Sequence, residues 1–244
     1  FRNGWTFKNL NEIRTEFTYF PARWEDRNSE GTGAYKMHDR FVGELAFGTD
    51  TSQLVSFSAL VGMRQEELSD WTLRSSVGLT YKPADQFSLD LDLNYFERKG
   101  WLLHNTDRLM SKYDAGDFQP RLGMDIFFTA KQQLRLTVQW AAIKAEVTEF
   151  LVIPEQGGTL VSLEDSNGYI PINSVREDFA LSRLTSQIRY RWEIGPLSDF
   201  FLVYTRGSNL PNRVEESYGE LWEDAISYPI VDTYVAKLRY RFGN

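Results

Sequence analysis

The 244-residue chain carries 27 basic and 34 acidic side chains, for a net charge of −7, and no cysteine. Disulfides and thiolate metal sites are thereby excluded, and the acidic balance argues against a nucleic-acid partner, which needs a basic face. Mean hydropathy is −0.42 and no stretch approaches the ~20 apolar residues of a membrane-spanning helix, but a barrel strand is apolar on one side only and hides from such a scan.

In chain order, two loosely patterned segments come first, at about 3–20 and 40–47, each expected to be one strand. Period-2 alternation then recurs to the end, and helical periodicity is hard to find. Val55, Phe57, Ala59, Val61 and Met63 form one apolar row. Trp71, Leu73, Val77, Leu79 and Tyr81 form the next, opposite Thr72, Arg74, Ser76, Gly78 and Thr80. In Phe87–Tyr95, residues Phe87, Leu89, Leu91, Leu93 and Tyr95 oppose Ser88, Asp90, Asp92 and Asn94. Successive side chains of a strand point to opposite faces, so each segment has an apolar and a polar side. Further rows are Leu122–Phe128, Leu134–Trp140, Leu184–Trp192, Phe200–Tyr204 and Tyr234–Phe242.

The expected connections at 48–53, 82–86, 129–133 and 195–199 are short. Those at 21–39, 97–118, 147–178 and 207–232 are long, and only 65–70 is brief. This alternation fits an up-and-down outer-membrane barrel with tight periplasmic turns and larger outer loops. Ten strands in this order place both termini on the periplasmic side. Aromatic residues gather at the strand ends: Tyr81, Trp192 and Tyr240 beside the short turns, and Trp71, Tyr95, Trp140, Tyr204 and Tyr234 at the other end. Trp71 and Tyr81 lie ten residues apart, or roughly 23 Å along a membrane normal at ~45° of tilt, against an apolar belt about 25 Å tall. The expected fold is thus all-β: an antiparallel up-and-down transmembrane β-barrel of about ten strands, with 1–244 as one domain in a bacterial outer membrane. Alternation alone would also fit a soluble antiparallel barrel or sandwich with its apolar face as core. Loop asymmetry, aromatic girdles and arginine-rich strand faces favour the membrane.

The last segment, Thr233–Phe242, resembles the C-terminal strand recognised by the barrel-assembly machinery, with Tyr240 and Phe242 as its aromatic signal. Gly243 and Asn244 follow where the usual pattern ends. The segments Phe179–Leu184, Ile188–Trp192 and Pro196–Arg206, with Arg2–Trp5 and Phe17–Asp26, are similar to a family of bacterial outer-membrane proteins of unknown function. That family joins a module like carbohydrate-binding family 9 to a C-terminal barrel. The resemblance implies a barrel fold, and strands or a module upstream of Phe1. It supplies no catalytic residues.

Chemistry-bearing residues are sparse. His38-Asp39 suggests half of a rim protease dyad, and His104 with Asp107 and Ser111 can be drawn as a triad, but neither spacing is specific, and two histidines make no zinc site. No enzyme, cofactor or metal is expected. The polar strand faces say more. Asp90, Asp92 and Asp125 share the inward phase with Arg183, Arg189, Arg191, Lys237, Arg239 and Arg241, so acid and base segregate around the wall. Such a wall either sets a field across a water-filled lumen or fills a narrow lumen with ion pairs. Acidic loop runs such as Glu220–Asp224 would bind cations or remain solvated. Loop aromatics Trp101, Tyr169, Tyr218 and Trp222 would stack on sugars or pack the loops. The reading that follows is a porin-like channel for small polar solutes, saccharides among them. Its alternatives are an anchoring or scaffold barrel that holds a protein partner or glycan-binding module, and an outer-membrane hydrolase. Expected partners are outer-membrane lipid and lipopolysaccharide, with no nucleic acid.

Overall fold

A computed structural model describes residues 1–171 and 175–242. The chain opens with β1 (Arg2–Thr6), β2 (Glu12–Phe20), β3 (Arg23–Glu25), β4 (Tyr35–Met37), β5 (Arg40–Gly48), β6 (Val55–Gln65) and β7 (Trp71–Ala84). Three long strands follow: β8 (Phe87–Thr106), β9 (Leu109–Thr129) and β10 (Gln132–Val152). After β11 (Val161–Ser162) come β12 (Phe179–Gly195), β13 (Ser198–Asn212), a helix α1 (Tyr218–Ser227) and β14 (Val231–Arg239). One sheet runs β1-β2-β5-β6-β7-β8-β9-β10-β12-β13-β14; β11 pairs β10 off this path, and β3 and β4 pair separately. Every step along the path is antiparallel. This is the expected all-β up-and-down meander.

Three expectations are corrected. The segment at 3–20 is a hairpin rather than one strand. Its turn holds Lys8, Asn9 and Asn11, with Leu10 at φ 61°, and Phe7 and Asn11 close it through a backbone hydrogen bond of 2.8 Å. The added strand reverses the chain once more. Phe1 therefore pairs with Phe17, away from the short turns, while Arg239 pairs with Asp199 beside one of them. The two ends of the chain consequently lie at opposite ends of the sheet. Because the path contains ten antiparallel steps, β1 and β14 run in the same direction and cannot close antiparallel on each other.

The second correction concerns the long loops. Residues 97–118 are mostly strand, because β8 and β9 continue to a tight turn at Asp107 and Arg108. At ~3.3 Å per residue, β9 with its 21 residues is about 70 Å long, while ~9–11 residues suffice to cross a membrane. The outer halves have cores of their own. Tyr35, Met37, Leu102, Met110, Leu151, Ile153 and Leu160 form one cluster, and Tyr113, Ala115 and Ala145 another, with Phe179 packed against it. Burial on both faces erases the one-sided alternation that makes a strand legible.

The third concerns 207–232, which contains a helix. Tyr218, Leu221, Trp222, Ala225 and Ile226 follow the 3.6-residue period. Ser217 caps the helix in a reciprocal box, accepting from the Glu220 N–H while the Glu220 side chain accepts from the Ser217 N–H. The acidic run Glu220–Asp224 is the polar part of this helix.

Candidate functional site: the polar face of the wall

Across β5, β6 and β7 the two faces of the sheet differ sharply in exposure. Val61 is 60 % exposed, Leu45 51 % and Leu73 46 %, whereas Ser56 and Thr72 on the other face are 6 % and 3 %. In an outer-membrane barrel the polar face is the inner one and the apolar face the outer one. An exposed apolar surface this extensive is abnormal for a protein in water.

Most charges inside the wall are locally paired. Glu44 receives Arg74 at 3.2 Å across β6. In register, Gly62 lies between them, where a Cβ would meet Glu44 Cγ at 3.1 Å, so the missing side chain keeps the bridge open. Asp90 accepts from Thr80 Oγ1 at 2.7 Å. Asp125 accepts from Gln133 Nε2 at 2.9 Å and Arg135 Nε at 2.8 Å. Arg135 is flanked in register by Asp125 and Arg189, and Arg189 donates to Gln187 at 2.8 Å. The nearly buried Asp199 holds Arg191 at 3.1 Å and also Arg239. The Arg241 backbone N–H donates to Ser198 Oγ at 3.1 Å. Asp125 and the Arg189–Arg191–Arg239 group thus do not pair across the interior, because Arg135 and Asp199 are closer at hand. Sequence reasoning missed those two, although both lie in the inward phase of their strands.

Other cations of this face sit differently. Arg121, Arg183, Arg189, Lys237 and Arg241 have no ion pair among the described residues. Arg121 lies opposite Asp92 in register without contacting it. Arg121 and Arg183 line a hollow of about 480 Å³ together with Asn94, Gln119, Gln139 and Thr185. Ala141, opposite Arg183, makes room for it: a small residue stands where its neighbours are long.

On the outer face, Trp71, Tyr81, Tyr95 and Trp192 are about two-fifths exposed. Tyr204 and Tyr234 stack at 4.5 Å, and Tyr240 meets Phe242 edge-on at 4.9 Å. Trp140 departs from its expected place in a girdle. It is 6 % exposed, donates to Ser182 Oγ at 2.9 Å, and lies under α1 with Trp222 at 5.2 Å. Trp222 is the exposed residue there. Of the other loop aromatics, Tyr218 packs on Phe118 at 6.0 Å, Trp101 on Phe179 at 6.4 Å and Tyr169 against Arg108 at 5.1 Å. Burial pushes the Tyr218 hydroxyl up to about 12, so it remains a neutral packing group. Gly243 and Asn244 lie outside the described residues.

His38 Nδ1 meets Ser69 Oγ at 3.0 Å rather than Asp39. His104 Nε2 meets the Asp107 carbonyl oxygen at 2.8 Å, while Ser111 accepts from Asn105.

A meander with an apolar outer face and a charged inner one defines the chain as a barrel-wall protein. It belongs to the family described as a domain of unknown function, DUF5916, whose model matches residues 1–242. No curated protein matches the chain significantly. Among solved structures it is similar to a copper transporter, OprC, at 14 % identity and a TM-score of 0.43. That likeness covers 93 % of this chain and 36 % of the transporter, so the chain spans about a third of that protein's length.

Proposed function

We propose that the chain forms the wall of a bacterial outer-membrane barrel through which small polar solutes, saccharides among them, pass. The observation that carries this reading is the division of the sheet: apolar rows on one side, exposed on β5–β7 and partly exposed at Leu91, Leu122 and Leu136, and charges and amides around an open hollow on the other. Hydrocarbon accepts the first face and water the second. In this reading the outer halves of β8–β10 and α1 stand outside, the short turns face the periplasm, and Phe1 lies toward the outer rim. Lipid and lipopolysaccharide surround the apolar rows. Tyr240 and Phe242, beyond the last paired residue of β14, serve as the assembly signal. Purified full-length protein in a planar bilayer should give discrete conductance steps. Insertion without conductance would overturn the channel.

The cores of the outer halves favour a second reading. Hairpins with a packed interior form a rigid platform, as an anchoring barrel that presents a partner would need. An inserted but non-conducting protein would support it.

A further inference from the structure

The geometry points to a binding subsite for an anionic solute, one bearing a carboxylate or phosphate group, in the hollow between Arg121 and Arg183. The inference rests on the wall having a solute-accessible inner face, and it deepens the channel reading by naming the solute class.

Local charge balance and position together set these two arginines apart. Arg74, Arg98, Arg135, Arg191 and Arg239 on the same wall each have a carboxylate partner. Arg121, Arg183, Arg189 and Arg241 have none among the described residues, though Asp92 stands opposite Arg121 in register. Of these, Arg189 is engaged by Gln187, and Arg121 and Arg183 are the two that line the hollow, two strands apart across β10 and displaced by two residues along it. On sheet spacings their Cα atoms lie about 12 Å apart, close enough for two long side chains to converge on one ligand. A guanidinium presents a planar fork of donors that matches a carboxylate or phosphate in a two-bonded arrangement.

The remaining lining fits the rest of such a solute. Gln119, Gln139 and Asn94 offer amide donors and acceptors, and Thr185 a hydroxyl. These groups recognise hydroxyls without adding charge. The volume of about 480 Å³ is within the size range of small-molecule sites. Asp90, Asp92 and Asp125 lie toward β8 and β9, and Arg189 and Lys237 toward β12 and β14. An anion is thus drawn to the basic side of the wall and repelled from the other.

The test uses two anionic probes, glucose 6-phosphate and gluconate, with neutral glucose as control. Equilibrium dialysis against detergent-solubilised full-length protein should show both anions bound and glucose at least roughly tenfold weaker. Replacing Arg121→Gln and Arg183→Gln together should weaken the anions by roughly tenfold or more, as the loss of charge-assisted hydrogen bonds implies. Ala141→Leu should also abolish binding by filling the hollow with no change in charge, which separates the site from a general electrostatic effect. Preference for one anion over the other distinguishes phosphate from carboxylate as the group recognised. Equal retention of glucose and the anions, or undiminished binding in both variants, would overturn the subsite. Conductance is measured on the same preparations. Conductance without anion binding leaves the channel standing and removes the subsite, whereas anion binding without conductance removes the channel alone.

Discussion

Lipid contact by the apolar rows can be tested at Leu91. In register Leu91 lies between Leu79 on β7 and Leu122 on β9, so its immediate cross-strand neighbours on the outer face are apolar. An arginine there has no carboxylate beside it and must reach an interface from the middle of the strand. Leu91→Arg should cost about 2–4 kcal/mol, the range for a cation at the midplane of an outer-membrane barrel, or roughly a 30- to 900-fold change in the folding equilibrium. Leu136, set between Met124 and Ile188, should behave alike. Thr137 is the control, because it is the next residue on β10, faces inward, and lies between Gly123 and Gln187. Thr137→Arg should cost under about 1 kcal/mol, as for a cation that keeps its water. Guanidinium unfolding of each variant refolded into lipid vesicles, followed by tryptophan fluorescence, measures all three. Equal costs at Leu91, Leu136 and Thr137 would refute the lipid-facing assignment and return the apolar rows to the core of a soluble protein.

Four further outcomes are expected. Arg98→Ala leaves Asp117, 1 % exposed and 2.8 Å from the guanidinium, as an unpaired buried charge, and should destabilise the protein by about 3–5 kcal/mol in denaturant melts. Ser217→Ala removes the cap of α1 and should cost about 0.5–2 kcal/mol, seen as faster hydrogen exchange across 218–227 with no change in the strands. Burial, with Glu66 adjacent, raises the Glu67 carboxyl above its ordinary value. The folded state therefore favours the protonated form: the stabilisation is present below the unfolded-state pKa and is lost as pH rises through the raised folded one. Glu67→Gln should then raise the melting temperature at neutral pH more than at pH 4. Finally, a cysteine placed at Glu155 should react with an impermeant maleimide on intact cells and one at Lys131 should not; the reverse pattern would invert the topology.

The amino-acid sequence determined the strands wherever one face is apolar and the other polar, because that asymmetry is written as a period of two. The rows from Val55 to Tyr95, from Leu122 to Trp140 and from Leu184 to Tyr204 were legible for this reason, as was the shared polar phase of Asp90, Asp125, Arg189 and Arg239. It fell silent where burial is two-sided, so the outer halves of β8, β9 and β10 read as loops. The hairpin at 3–20 was hidden because its polar turn residues sit inside an alternating pattern. Helix α1 carried both a period and a capping box, and it was overlooked among acidic residues. Pairing was beyond the sequence altogether. Phase says which side chains share a face, but only the tertiary structure sets Asp199 opposite Arg239 and within reach of Arg191, puts Gly62 between Glu44 and Arg74, and buries Trp140 under a helix more than 75 positions later. Those neighbours are set by hydrogen-bonded contacts between strands distant in the chain, and they alone decide which arginines are satisfied and which remain for a ligand.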